Sequence, residues 1–157
     1  MCGICGTIGI DDPAAVVRML DRLLHRGPDG RGTKSLDVGQ PVHLGHSRLA
    51  IIDLSPSAAQ PMSTLDGQLW ITFNGEIFNF RELRSDMEAR GTIFRSKSDT
   101  EAILWAYARW GPESFLRLRG MFAFALFDVP RRKVFLVRDH IGVKPLYYHR
   151  SADQLVF

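Results

Sequence analysis

The chain opens Met1-Cys2-Gly3-Ile4-Cys5-Gly6, and the reading of its second residue decides the rest. Cysteine is small enough that removal of the initiator methionine is ordinarily expected. Cys2 would then carry a thiol and a free α-amine together. The thiolate is the nucleophilic form of cysteine. An α-amine, with a reference pKa of about 7.7–8.0, can take up a proton near neutral pH. One residue would hold nucleophile and base, the logic of the threonine and N-terminal amine pair. The alternative is a small apolar residue that only begins a buried strand, which Ile4 to Ile10 is expected to form.

Working outward, Asp12-Pro13 reads as an N-cap followed by proline at the first helical position. Val16, Leu20, Leu23 and Leu24 follow at helical spacing, and Gly27-Pro28 ends that helix. Strands are expected at Lys34–Val38, Val42–Leu49 and Leu69–Asn74, divided by Gly, Pro and Ser. A second helix runs from Asn79, with Glu82 at the capping-box position, to Gly91. A third opens with Ser98-Asp99-Thr100-Glu101, another capping box, and ends at Gly111. Met121–Phe127 and Val134–Val137 are apolar runs across a short basic turn, and strands apolar on both sides need both faces covered. Two antiparallel sheets packed together with helices outside, an α+β arrangement, meet that need.

The 157 residues suit one domain with a real core. No segment approaches the ~18 apolar residues that span a bilayer, and the opening MCGICG does not read as a secretory signal. Two cysteines allow no disulfide framework, so a cytoplasmic setting is the default. The net charge of +3 is diffuse; its longest basic run, Arg131-Arg132-Lys133, suits a hairpin tip rather than a nucleic-acid stripe. The chain stops at Leu155-Val156-Phe157, as though in mid-strand, and is expected to be part of something longer.

Cys2 and Cys5 make a C-x-x-C, but a zinc site needs two more ligands and no second pair is present; His43 and His46 fit a strand alternation instead. A redox dithiol should open a helix after a strand, so Cys5 reads as a buried small hydrophobe and no metal is expected. Asn74-Gly75-Glu76 admits two readings. Asn-Gly is a common tight turn, yet an Asn amide and a neighbouring Gly N–H can also converge on one oxyanion. Arg48, amid apolar neighbours, is a solvated cation or a fork for a carboxylate. Asp99, in the first turn of a helix, complements its dipole.

Taken together, these segments resemble the glutaminase domain of glutamine-dependent asparagine synthetases. That domain is a class II glutamine amidotransferase with the N-terminal-nucleophile hydrolase fold. The pieces span nearly the whole chain: Met1 to Gly6, His25-Arg26-Gly27-Pro28-Asp29, Arg48 to Ser55, and Gln60-Pro61-Met62. They continue through Asn74-Gly75-Glu76-Ile77, Ser98 to Glu101, Gly120 to Phe124, Arg138-Asp139, and Gly142 to Tyr147. The resemblance implies a four-layer αββα sandwich over residues 1–157, truncated at its C-terminal end. It implies Cys2 as nucleophile with its own amine as base, and Asn74 with Gly75 as oxyanion hole. Arg48 would grip the glutamine α-carboxylate, and Glu76 with Asp99 the α-ammonium. Leu49 and Ile51 would line the substrate within a glutamine loop, Arg48 to Met62, that orders over it.

Phe78 stands where the family usually has tyrosine, and is expected to pack rather than react. Asp139-His140 departs from the usual Asp-Arg. The synthetase half, with its pyrophosphate loop, is absent, so ATP and magnesium are expected only there. The implied partners are glutamine and a synthetase domain or subunit that receives ammonia, with aspartate as the expected acceptor. No nucleic acid or membrane is implied, and a homo-oligomer is left open. The rival readings are a catalytically silent scaffold and an amidotransferase serving another acceptor.

Overall fold

The computed structural model describes residues 1–157. In chain order the elements are β1 (Gly3–Ile8), α1 (Pro13–Arg22), β2 (Gly30–Asp37), β3 (Pro41–Arg48), β4 (Met62–Ser63) and β5 (Leu69–Ile77). They continue with α2 (Phe80–Glu88), α3 (Asp99–Trp110), β6 (Gly120–Asp128), β7 (Lys133–Arg138), β8 (His149–Arg150) and β9 (Leu155–Val156). Strands β2-β3-β1-β9-β8 form one sheet and β4-β5-β6-β7 the other, every pairing antiparallel.

Alternation along each strand makes the layers. Ile8, Val42 and Leu44 of the first sheet meet Ala125 and Phe127 of the second, with Phe157 beside them. On the far side of the first sheet, Val16 and Leu20 of α1 bury Cys5. On the far side of the second, Ile71, Phe73, Phe122, Phe124 and Leu126 pack on Leu83 and Met87 of α2 and on Ile103, Leu104 and Tyr107 of α3. Each such Leu, Ile or Phe contributes about 1.5–3 kcal/mol when fully buried. The order is helix, sheet, sheet, helices, the expected αββα sandwich.

Local chemistry explains the element ends. Asp12 Oδ1 accepts the Ala15 N–H at 3.2 Å, the expected cap of α1. Ser98 Oγ accepts the Glu101 N–H at 3.3 Å, but the Glu101 carboxylate turns away to the Arg95 and Ser96 N–H groups. Only half of that capping box forms. The Asn79 box does not form, because its amide spans the Arg117 carbonyl and the Arg119 N–H, both 2.9 Å away across the fold. The basic run sits at the β6–β7 hairpin, where buried Asp128 pairs with Arg131 at 2.9 Å. Phe78 does not pack as expected: its ring is exposed and only its N–H is held, by the Arg119 carbonyl.

Candidate active site

The Asn74-Gly75 turn reading fails, since both residues lie inside β5, opposite Ala123 and Phe122 of β6. β4 pairs with β5 only at Ile71 and Trp70, so beyond those residues one edge of β5 has no strand beside it. Along an antiparallel strand, alternate N–H groups point to the same edge. Phe73, Gly75 and Ile77 therefore share the uncovered one. Gln60 Oε1 accepts the Phe73 N–H at 2.6 Å, and Asp99 Oδ2 accepts the Ile77 N–H at 3.0 Å. Gly75 lies between them, and its N–H is left to the pocket. The facing carbonyl of Phe122 is occupied by the Asp139 N–H. A Cβ on Gly75 would stand 2.3 Å from the Met121 carbonyl oxygen, so only glycine lets β5 and β6 close here.

Asn74 is buried on the inner face of β5, and no protein group bonds its amide. It shares a pocket of about 140 Å³ with Cys2, Arg48, Leu49, Ile51, Glu76 and Asp99. Cys2 Sγ, at the start of β1, accepts the Leu49 N–H at 3.3 Å. Burial raises the thiol pKa, opposed by that N–H and by the N-terminal charge. Leu49 thus acts through its backbone, while the Ile51 side chain is mostly exposed at the pocket rim.

Arg48 Nη2 donates to the Asp53 and Ser55 carbonyls at 2.6 and 3.0 Å, which leaves Nη1 and Nε without a protein partner. The segment after Arg48 is pinned at both ends: Asp29 accepts the Ala50 N–H at 2.9 Å and Asp53 the Lys97 N–H at 2.7 Å. At the anionic end, burial raises the Asp99 carboxyl to about 6 against the pull of the Ile77 and Thr100 N–H groups, and Glu76 adds to the rise. Glu76 itself is exposed and makes no ion pair with the protein.

Sequence reading gave no role to several neighbours. Arg26 Nε donates to the Cys2 carbonyl at 3.0 Å, holding the backbone of Cys2. Gly27 passes so close to Ser47 that a Cβ would stand 2.4 Å from its carbonyl carbon. Lys144 is buried in the pocket wall, with Nζ 3.2 Å from Met1 Sδ. His46 Nε2 donates to the Phe73 carbonyl, 3.2 Å away. A signal for His46 existed in the sequence, because it shares the inward face of β3 with Val42 and Leu44. The two thiols face different surroundings: Cys5 Sγ lies against the Val16 carbonyl, and burial lifts its pKa to about 12. No group of three or more His, Cys, Asp or Glu side chains is placed to hold a metal. No helix is long and apolar enough to cross a membrane.

The arrangement offers a thiol, two uncommitted N–H donors, a partly free guanidinium and two carboxylates around one small pocket. The family described as the glutamine amidotransferase domain matches residues 1–157. Asparagine synthetase [glutamine-hydrolyzing] 1 of Bacillus subtilis is 38% identical over all of this chain and 25% of its own length. Asparagine synthetase [glutamine-hydrolyzing] of Sandersonia aurantiaca is 43% identical over all of this chain and 30% of its own. The chain thus spans about a quarter to a third of such relatives. Among solved structures, glutamine phosphoribosylpyrophosphate amidotransferase from B. subtilis superposes with a TM-score of 0.84. That match has 23% identity and covers 99% of this chain and 41% of the other, which shows the shared fold.

Proposed function

This chain belongs to the glutamine amidotransferase domain family, and on that premise we propose that it hydrolyses glutamine to glutamate and ammonia through Cys2. The observation that carries the reading is the lone free N–H of Gly75 beside the unbonded Asn74 amide, in the pocket that holds the Cys2 thiol.

With Met1 removed, the Cys2 amine takes the thiol proton and the sulfur attacks the side-chain carbonyl carbon of glutamine. The carbonyl oxygen becomes an oxyanion that accepts from Asn74 and Gly75. As the tetrahedral adduct collapses, the C–N bond breaks. The Cys2 ammonium returns its proton to the departing nitrogen, releasing ammonia and leaving a γ-glutamyl thioester. Water, deprotonated by the same amine, then attacks the thioester. The products are glutamate and free thiol, and the balance needs only water. Arg48 and the Asp99–Glu76 pair hold the amino-acid end, so the amide alone reaches the sulfur.

The ammonia would pass to an ATP-dependent synthetase part, with aspartate as acceptor. ATP and magnesium belong to that part, and the proposed setting is cytoplasmic, where thiols stay reduced. A diazoketone analogue of glutamine should label Cys2 and not Cys5, with the adduct located by peptide mapping. Cys2→Ala should abolish turnover and keep glutamine binding. Label chiefly on Cys5, or equal turnover by protein with and without Met1, would refute the mechanism.

A further inference from the structure

We propose that His46 and Gln60 are positioning residues that clamp both peptide groups of Phe73 and so aim the oxyanion donors that follow it. The inference rests on the glutaminase reading of the site. Beyond the short partner β4, the open edge of β5 has no ladder to hold its peptide planes. Two side chains replace it at Phe73: Gln60 Oε1 takes the N–H at 2.6 Å, and His46 Nε2 meets the carbonyl at 3.2 Å. Asn74 and Gly75 come next in the chain, so a tilt at Phe73 displaces both donors.

The two clamps come from the parts of the site that must agree. His46 lies two residues before Arg48 on β3 and opposite Ile4 of β1, the strand that directly follows Cys2. Its bond crosses between sheets, fixing the nucleophile's sheet against the oxyanion's. Gln60 closes the segment that starts at Arg48, and its Nε2 donates to Thr100 Oγ1 at 3.2 Å, one residue after Asp99. A carbonyl partner requires His46 Nε2 to carry the proton, which makes Nδ1 an acceptor, and Nδ1 is buried with no partner. Burial pushes the imidazole down to about 4, which keeps the ring neutral in that tautomer. A side chain that leaves one nitrogen stranded is held for the bond its other nitrogen makes.

The test compares His46→Leu and Gln60→Met, which lose the clamp, with His46→Gln, which keeps a donor at the same reach. Thr72→Val is the control, since Thr72 Oγ1 makes a neighbouring cross-sheet bond to the Gly45 carbonyl at 2.9 Å. His46→Leu and Gln60→Met should lower kcat by about ten- to a hundred-fold, with KM little changed. His46→Gln should stay near the wild type, and Thr72→Val should lower the Tm without that loss of kcat. In labelled protein, the Asn74 side-chain amide resonance should move in His46→Leu and not in Thr72→Val. If His46→Leu does not fold, Gln60→Met and His46→Gln still decide. Wild-type kcat in the clamp variants, loss in Thr72→Val to match, or an unmoved Asn74 resonance would overturn the proposal. A wild-type protein that leaves glutamine intact would refute the glutaminase reading instead, and the Asn74 resonance would still judge the clamp.

Discussion

Asp139 and Asp99 are both buried carboxylates, and the protein treats them in opposite ways. Asp139 follows β7 and collects the N–H groups of Phe122, Ile141, Val143 and Lys144 at 2.8–3.3 Å. Burial alone would raise its pKa, but those donors outweigh it and hold the group at about 2. Asp99 receives the Ile77 N–H, is pushed up to about 6 by burial, and faces a pocket shared with Glu76. The first acid builds a turn and is satisfied by the fold. The second is left short of partners, and a bound ammonium would supply the missing one. The same division separates the donors of β5, where Phe73 and Ile77 are occupied and Gly75 is open.

Asp139→Ala should show the largest effect on stability, because it strands the buried Phe122 and Lys144 N–H groups, each costing about 1–3 kcal/mol, and frees two partly buried ones. The turn it organises carries Lys144 into the active-site wall, so activity should fall with the fold. Chemical denaturation would read the loss. A variant as stable as the wild type would break the division between the two acids.

Asn74→Ala tests the open donors. It removes the proposed oxyanion donor, so kcat should drop by about 10²–10³ with KM far less affected. Thermal stability should change little, since no protein group bonds that amide. If Asn74→Ala altered KM alone, the unbonded amide would be a binding group and not an oxyanion donor.

Much of the fold was legible in the sequence, little of this division was, and the reasons are physical. Periodicity gave the long strands and the helices, and Asp12 and Ser98 announced their own caps. Asn74-Gly75 was ambiguous because the dipeptide suits a turn, and only the start of β4 at Met62, opposite Ile71, shows why a strand interior exposes its N–H there. β2 begins at Gly30, earlier than expected, because glycines weaken the strand signal while β3 supplies the pairing. Asp139 stood out only in the matching piece Arg138-Asp139 and in the departure at the residue after it. Its role rests on four donors that converge from β6 and a turn, and no local pattern encodes that. Arg26 and Gln60 were hidden likewise, since they act on backbone groups 24 and 13 positions away.

Asp99→Asn and Arg48→Ala should have intermediate effects on binding. Each removes a proposed charge-assisted contact with glutamine, worth roughly 1.5–3 kcal/mol and present in ground and transition states alike. KM should therefore rise about ten- to a hundred-fold with kcat nearly kept. Asp99→Asn retains an oxygen for the Ile77 N–H while removing a poorly solvated charge, so its Tm at neutral pH should exceed the wild type's. A lower Tm would show that the protein, and not the ligand, uses the charge.

The smallest effect, and the sharpest test of the contrast, is the pH dependence of the two acids. Asp139 is depressed in the folded state, so its contribution is fully present above the unfolded carboxylate value. It is lost only as the pH falls toward about 2. Asp99 is raised, so the folded protein holds its proton more tightly than the unfolded chain does between about 3.8 and 6. Its contribution to stability therefore declines as the pH rises through that window. Glutamine binding should do the reverse, since the ammonium is held by the ionised form that accumulates as the pH approaches and passes about 6. Titrating glutamine into Cys2→Ala protein, which cannot turn over, separates this from the ionisation of the nucleophile. Affinity should rise from pH 4.5 to 7 while the Asp99 share of stability falls, and adding Asp99→Asn should flatten both. Parallel slopes in binding and stability would mean that Asp99 is satisfied by the fold, as Asp139 is.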